Sequence, residues 1–174
     1  MPDDFYVQVA AIAQKKKTRF ILDTSGEALL QTASKSHIYI LKPNLAELSA
    51  LCGVPSISAL ELESLSKKFL QEHDCEALVV SLGAKGALLA TKYEMEHVPA
   101  PTVLQKSTVG AGDSMVAGMI MSLILGRSFS DMVKYGVACG AAATMHHGTQ
   151  LCNKEDADKL YEWVRRQKQV MDTN

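Results

Sequence analysis

Residues 77–91, ALVVSLGAKGALLAT, decide the fold class of this chain. The apolar run at 77–82 has the length and the β-branched content of a buried strand, and Gly83 and Gly86 bracket a turn before a partner run at 87–91. A strand that is apolar on both faces needs cover on both faces. This stretch therefore indicates a strand pair inside a sheet that helices cover.

Segments with helical spacing alternate with short apolar runs on both sides of this pair. The predicted elements are helix 3–16, strand 19–23, helix 26–35, strand 38–41, helix 44–51, helix 58–69, the pair 77–82 and 87–91, a short strand 96–98, and helices from near residues 112, 130 and 153. Phe5, Val9 and Ile12 would share the apolar face of the first helix, and Ser58 with Glu61 forms a capping-box pattern. This order predicts one α/β domain over residues 1–174, with a mostly parallel sheet flanked by helices.

The composition excludes several classes of function. The chain has 174 residues, 47% of them hydrophobic and 21% charged, with a formal net charge of -1. Such a balance gives no general attraction to nucleic acid or to an anionic membrane, so any phosphate site must be local. The four cysteines have no metal-type spacing, and neither a signal peptide nor a membrane span is recognisable. We therefore expect a cytoplasmic protein with reduced cysteines.

The strongest chemical feature is KSTVGAGDS at residues 106–114. A helix start exposes unpaired backbone N–H groups, and small residues such as Gly110, Ala111 and Gly112 let a ligand approach them closely. These features together predict an anion hole suited to a phosphoryl group. Asp113 would face that hole, where it could accept a proton from an attacking hydroxyl. The alternative is that the two glycines only form a tight turn and that Asp113 only complements the helix start.

A second cluster is KPNLAEL at residues 42–48. Asn44 and Glu47 are three residues apart at a helix start and share one face, where they could bind a hydrated magnesium ion. Lys42 could reach a phosphate. The alternative is a capping asparagine beside an exposed glutamate, and on these residues alone it is favoured.

Two further segments could contact a ligand. SLGAKGA at residues 81–87 follows a strand, at the edge of the sheet where open α/β folds hold their ligands. GVACGAAAT at residues 136–144 presents a helix face of small residues. That face would admit either a flat nucleotide base or a closely packed helix, and the two interpretations are equally good.

Taken together, these clusters resemble the ribokinase-like, or PfkB, family of carbohydrate kinases. KPNLAEL is similar to the family's magnesium and nucleotide motif, and STVGAGDSMVAG is similar to its second signature. The resemblance extends along essentially the whole chain through DTSGEAL, VVSLGAKGAL and GAAAT. The sequences of these motifs are most similar to the 6-phosphofructokinase branch of the family. The implied fold is a partial ribokinase-like α/β fold, without the N-terminal half and the lid.

The resemblance also implies a role for each matching residue. Asp113 would contact the sugar substrate as the catalytic base, with the N–H groups of Gly110, Ala111 and Gly112 stabilising the transferred phosphoryl group. The positions implied for ATP are Lys42, Asn44, Ser81, Gly83, Gly86 and Ala141. Asn44 and Glu47 would hold magnesium through water. The positions implied for a potassium ion are Ser107, Val109, Ala143 and Gly148, with His146 and Gln150 as weaker matches.

The implied activity is ATP-dependent phosphorylation of fructose 6-phosphate to fructose 1,6-bisphosphate. Tagatose 6-phosphate, fructose 1-phosphate and a nucleoside remain alternative substrates, because most of the family's sugar contacts lie in its N-terminal half. Full-length members are often homodimers. We expect the chain on its own to be a poor kinase that tends to aggregate. A second interpretation is a nucleotide-binding fragment without catalysis.

Overall fold

The order of helices and strands follows the prediction element by element. The structure, a computed structural model, describes residues 4–148 and 150–171, and only the backbone of 168–171. The helices are α1 Phe5–Lys15, α2 Gly26–Lys35, α3 Leu45–Leu51, α4 Leu62–Glu72, α5 Ala111–Ile124, α6 Phe129–Thr144 and α7 Lys154–Met171. The strands are β1 Ile21–Leu22, β2 Ile38–Leu41, β3 Cys75–Ser81, β4 Ala87–Thr91 and β5 Met95–Val98, with a 3-10 turn at Gly83–Lys85. Residue 3, predicted to open the first helix, lies outside the described residues.

The strands form one sheet in the order β1-β2-β3-β4-β5. β1 pairs with β2 and β2 pairs with β3 in parallel, with Leu22 opposite Leu41 and Leu41 opposite Leu78. The connection from β3 to β4 is too short for a parallel crossover, so this pair is antiparallel and the sheet is mixed. The predicted parallel arrangement therefore describes β1 to β3.

The chain divides into two compact units. Unit 1 contains the residues up to 81 together with 88–95, and unit 2 contains 82–87 together with the residues from 96 onward. None of the described helices combines the length and the apolar character that a membrane crossing requires.

Unit 1 is organised around β2 and β3, which are buried on both faces. Ile40, Leu41, Leu78, Val79 and Val80 are all completely buried. Leu29 of α2, Leu48 of α3 and Phe69 of α4 are also buried, so these three amphipathic helices contribute their apolar sides to the core.

Two local predictions in unit 1 need correction. Phe5 and Ile12 of α1 are 42% and 61% exposed, so the predicted apolar face of this helix is not a buried one. The capping box at Ser58 forms only in part: the Glu61 carboxylate accepts from the backbone N–H of Ser58, but residues 59–61 form turns and α4 begins at Leu62. Glu61 itself takes the N-cap position and makes no side-chain cap.

Unit 2 is a layer of three helices in which α6 lies between α5 and α7. Gly118 of α5 faces Cys139 of α6 so closely that an added Cβ would lie 2.6 Å from the sulfur. Gly136 of α6 faces α5 in the same way, because its Cβ would lie 2.7 Å from Cγ of Met119. On the other side of α6, Tyr135 packs edge-to-face on Tyr161 of α7, with ring centroids 5.1 Å apart. The small residues of α6 therefore permit a close helix contact.

We predict that Gly118→Ala destabilises unit 2 by about 2 kcal/mol, because the overpacking cost exceeds the gain in helix propensity. Urea unfolding followed by the fluorescence of Trp163, the single tryptophan and a residue of unit 2, measures this change. Ala117→Ser at the exposed neighbouring position should shift the free energy of unfolding by less than about 0.5 kcal/mol. Equal effects of the two substitutions would contradict the close-contact interpretation.

Candidate functional site

The carboxyl ends of the three parallel strands place polar residues side by side in unit 1. The register that sets Leu22 opposite Leu41 also brings Asp23, after β1, beside Lys42, after β2. Oδ1 of Asp23 lies 3.1 Å from Nζ of Lys42. A parallel bridge joins Asn44 to Ser81 at the end of β3. This is the edge at which open α/β sheets bind ligands.

Lys42 is buried, with only 7% of its side chain exposed. A buried ammonium group requires a partner, because an unpaired charge away from water costs several kcal/mol. The Asp23 carboxylate is that partner, and it is 31% exposed. The ion pair therefore fixes the positively charged ammonium group of Lys42 at the strand ends.

Asn44 and Glu47 form a complete capping box at the start of α3. The backbone N–H of Glu47 donates to Oδ1 of Asn44 at 2.9 Å, and the backbone N–H of Asn44 donates to Oε2 of Glu47 at 2.8 Å. The capping interpretation of these residues is thus what the structure shows. Oε1 of Glu47 takes no part in the box, and Asn44 is exposed. One partly exposed carboxylate fits a magnesium ion that keeps most of its water.

Ser81 is tied to the same edge through the backbone. Its N–H donates to the Pro43 carbonyl at 2.9 Å, and its hydroxyl donates to the same oxygen at 3.4 Å. The structure thus brings Lys42, Asn44, Glu47 and Ser81 together in unit 1. Within the described residues, no group of three or more His, Cys, Asp or Glu side chains is arranged to hold a metal ion directly.

The two glycines of the 83–86 turn have different surroundings in unit 2. Gly86 has φ +97°, and an added Cβ would lie 2.0 Å from the Val98 carbonyl oxygen. Any side chain at position 86 would therefore clash with the protein's own backbone. Gly83 also has a positive φ, but it is exposed and faces open space. Of the two, only Gly83 presents a surface that a ligand can approach.

The GAGD segment forms the start of α5. Gly110 is the N-cap residue and has φ +77°, a left-handed conformation that favours glycine. The first bond of the helical pattern runs from Ser114 N–H to the Gly110 carbonyl at 2.9 Å. The N–H groups of Gly112 and Asp113 therefore come before the first hydrogen bond of the helix and have no acceptor within it. The N–H group of Ala111 donates to the Thr108 carbonyl at 3.3 Å. Of the three donors predicted for the anion hole, Ala111 N–H is thus engaged within the chain, and the hole remains a prediction.

Asp113 occupies the first turn of α5 and is exposed, beside the N–H groups of that turn. Its neighbour Ser114 is 2% exposed, and the hydroxyl oxygen of Ser114 has no hydrogen-bond partner. Asp113 is therefore available to an incoming ligand, whereas Ser114 faces the protein interior.

The segment before α5 is bonded to the end of α6 and the residues after it. Lys106 N–H donates to the Thr144 carbonyl at 2.7 Å, and the Ser107 hydroxyl donates to the Gly148 carbonyl at 2.9 Å. Val109 N–H in turn donates to Ser107 Oγ at 3.2 Å. These bonds bring the backbone of 107–109 close to that of 144–148, in the region predicted to hold a potassium ion.

The remaining predicted residues lie around this segment. His146 N–H donates to the Ala143 carbonyl at 3.2 Å, and the His146 ring lies 3.5 Å from the Asp156 carboxylate of α7. Only the backbone of His146 could therefore serve a cation. Gln150 is exposed, and its N–H donates to His147 at 3.4 Å. Ala141 is partly buried, and its carbonyl accepts from the Thr144 hydroxyl.

Two contacts near the candidate site were not predicted from the sequence. The Asp23–Lys42 pair depends on strand register, and only the strand-terminal position of Asp23 in RFILD could have suggested it. The hydrogen bond from Ser107 to Gly148 joins residues 41 positions apart, and no local sequence pattern predicts it.

Comparison with known proteins places the chain in a family. A pfkB family carbohydrate kinase domain matches residues 1–156. The ATP-dependent 6-phosphofructokinase isozyme 2 of Escherichia coli K12 is 39% identical over 159 residues, which cover 91% of this chain and 52% of the relative. The 1-phosphofructokinase of Bacillus subtilis is 34% identical over 142 residues, covering 82% of this chain and 46% of the relative.

Solved structures give the same result. Phosphofructokinase-2 from E. coli in complex with potassium superposes with a TM-score of 0.89 at 37% identity, over 95% of this chain and 53% of that one. Arabidopsis thaliana ribokinase complexed with ribose and ATP superposes with a TM-score of 0.78 at 26% identity, over 92% and 53%. The chain thus has a ribokinase-like fold and spans about half the length of the relatives it matches. It belongs to the pfkB family of carbohydrate kinases.

Proposed function

We propose that this chain carries the ATP site and the catalytic base of an ATP-dependent sugar-phosphate kinase. The observation that carries the proposal is the start of α5, where a left-handed Gly110 precedes first-turn N–H groups and an exposed Asp113. Donors of this kind stabilise negative charge on a phosphoryl group, and an adjacent carboxylate can take the proton of the attacking hydroxyl.

The proposed reaction is an in-line transfer. The sugar hydroxyl oxygen forms a bond to the γ-phosphorus of ATP, the bond from that phosphorus to the ADP oxygen breaks, and the hydroxyl proton moves to Asp113. In this proposal the N–H groups of Gly110 and Gly112 stabilise the equatorial phosphoryl oxygens, whereas that of Ala111 is bonded to the Thr108 carbonyl. Such catalysis depends mainly on position and on electrostatics rather than on covalent chemistry.

The strand ends of unit 1 supply a second set of ATP contacts in this proposal. The buried ammonium group of Lys42, held by Asp23, provides a fixed positive charge for the phosphates. Asn44 and Glu47 would hold magnesium through its water ligands, and the bound ion would neutralise charge on the phosphate oxygens. Ser81, Gly83 and Ala141 complete the proposed nucleotide contacts, and Gly86 supports the turn that contains Gly83.

Fructose 6-phosphate is the substrate that we propose. The support is that the E. coli and Mycobacterium tuberculosis relatives, which are 39% and 35% identical to this chain, are 6-phosphofructokinases. Fructose 1-phosphate is the alternative supported by the 1-phosphofructokinases of B. subtilis and Rhodobacter capsulatus. Tagatose 6-phosphate remains a third candidate.

A second candidate function is nucleotide binding without catalysis. The observation that favours it is which residues the structure gathers, since Lys42, Asn44, Glu47 and Ser81 are implied for ATP or magnesium and Asp113 alone for the sugar. Such residues can hold a nucleotide without a full set of sugar contacts. Binding and turnover therefore need separate measurements.

The binding experiment is calorimetric titration of ATP with magnesium into the chain. We expect Asp113→Asn to bind ATP as the wild type does, because a carboxylate is a poor phosphate ligand. Gly112→Val should bind at least about tenfold more weakly, since a branched side chain blocks approach to the first-turn donors. Ala117→Val, on an exposed position of the same helix, is the matched control and should bind normally. Undiminished binding by Gly112→Val would refute the anion hole.

The turnover experiment measures ADP release with fructose 6-phosphate, fructose 1-phosphate and tagatose 6-phosphate. We expect weak activity or none from the chain alone, and more when the part of the E. coli relative outside the matched region is added as a second polypeptide. In that mixture, Asp113→Asn should lower turnover by about 100-fold or more because the base is lost. Asp131→Asn changes the first-turn acid of α6 and serves as the control. Equal turnover by the Asp113→Asn variant would exclude its catalytic role.

We also propose a potassium ion beside the α5 start, held by backbone oxygens near Ser107, Val109, Ala143 and Gly148. Three hydrogen bonds from residues 106 and 107 gather this backbone, and oxygen ligands suit hard cations. Replacing potassium by tetramethylammonium at constant ionic strength should weaken ATP binding. Ser107→Ala should reduce that dependence, whereas Ser34→Ala, at an exposed position of α2, should not. Identical affinities in both salts would rule the ion out.

A further inference from the structure

Two of the four cysteines lie together in unit 2. Cys139 is on α6, and Cys152 lies in the segment that leads into α7. Cys139 belongs to a buried cluster with Tyr135, Ala142 and Tyr161, and the Cys152 side chain packs against that cluster. The two thiol-bearing side chains therefore share one packed cluster of unit 2. Both are free in the structure.

The two thiols differ in access to solvent. Cys139 is 4% exposed, whereas Cys152 is partly exposed. Cys139 is also confined on its other side, because Gly118 of α5 faces its sulfur. A small oxidant therefore reaches Cys152 first, and Cys139 belongs to the cluster against which the oxidised Cys152 packs. This arrangement is typical of a reacting cysteine with a resolving partner.

We propose that Cys139 and Cys152 are a redox-sensitive pair that forms a reversible intramolecular disulfide when the protein meets a peroxide. This inference does not depend on the proposed kinase activity. It concerns a modification of the helical layer that contains α6 and α7.

The reaction balances in two steps. The Cys152 thiolate attacks one oxygen of hydrogen peroxide, an S–O bond forms, the O–O bond breaks, and water leaves after protonation. The Cys139 sulfur then attacks the oxidised Cys152 sulfur, the S–S bond forms, the S–O bond breaks, and the Cys139 proton leaves with the hydroxide as a second water. The peroxide is reduced, and the two thiols lose two electrons in total.

The second step should become faster as the pH rises. Burial, together with the nearby Cys152 thiol and the Asp158 carboxylate of α7, raises the pKa of the Cys139 thiol above its usual range. The hydroxyl of Tyr135 donates to Asp158 at 2.9 Å, and Arg127 lies over the Tyr135 ring, so these groups belong to the same environment. The reactive thiolate of Cys139 is therefore scarce at neutral pH, and the packing of Cys152 against the same cluster offsets that scarcity through proximity.

The disulfide would restrain the segment between α6 and α7. That segment contains Gly148, which accepts from Ser107, and Leu151, whose Cδ2 would lie 3.1 Å from a Cβ added at Gly110. Oxidation therefore ties to α6 the residues that lie beside the start of α5.

The test treats the folded chain with hydrogen peroxide, quenches it, and counts thiols after denaturation. We expect two of the four thiols to be lost, a Cys139–Cys152 cross-linked peptide by mass spectrometry, and full recovery with dithiothreitol. Adding dimedone should trap sulfenic acid on Cys152, and the trapped fraction should fall as the pH is raised from mildly acidic to mildly basic.

Two variants complete the design. Cys152→Ala should keep all of its remaining thiols, whereas Cys52→Ala, the matched change at a partly exposed cysteine of unit 1, should still lose two. Peptide mapping of the wild type decides the question even if a variant fails to fold. Over-oxidation of Cys152 with Cys139 still reduced would overturn the proposal, as would a disulfide between two chains on a non-reducing gel.

Discussion

Complete burial of β2 and β3 is the constraint on which unit 1 depends. Residues such as Ile40, Leu41, Leu78 and Val79 have no exposed surface, so each strand needs a bonded neighbour on both sides and cover on both faces. The apolar sides of α2, α3 and α4 supply buried residues to that core. Polar residues can then appear only where the strands end. Parallel pairing makes those ends coincide at one edge of the sheet.

The functional consequence is visible at Lys42. A lysine at a strand end is ordinarily solvated, but here its ammonium group is buried against Asp23, which the register of β1 and β2 brings beside it. The side chains of Asn44 and Glu47 form the N-terminal capping box of α3. A capping box and a hydrated metal site are compatible, because the cap employs one carboxylate oxygen and outer-shell binding needs few direct ligands.

Unit 2 relies on a different device, the close approach of helices through small residues. Gly118 makes room for the Cys139 side chain and Gly136 makes room for that of Met119, so α5 and α6 pack closely. Tyr135 and Tyr161 join α6 to α7 on the opposite side. This packing holds the start of α5, where the proposed anion hole would lie. It accounts for most of the small-residue face of α6, although the partly buried Ala141 remains compatible with a nucleotide contact. The same packing brings two cysteines together.

The sequence by itself determined the α/β class, the order of the elements, the start of α5 and the family, because apolar periodicity and glycine spacing are local properties that survive without tertiary contacts. It also located Asp113 at a helix start. The start of α4, the exposure of Phe5 and Ile12, and the Asp23–Lys42 pair were decided only by the tertiary structure. Strand register, burial and contacts between residues far apart in the chain arise from packing, in which each segment's conformation depends on partners that its own residues do not encode.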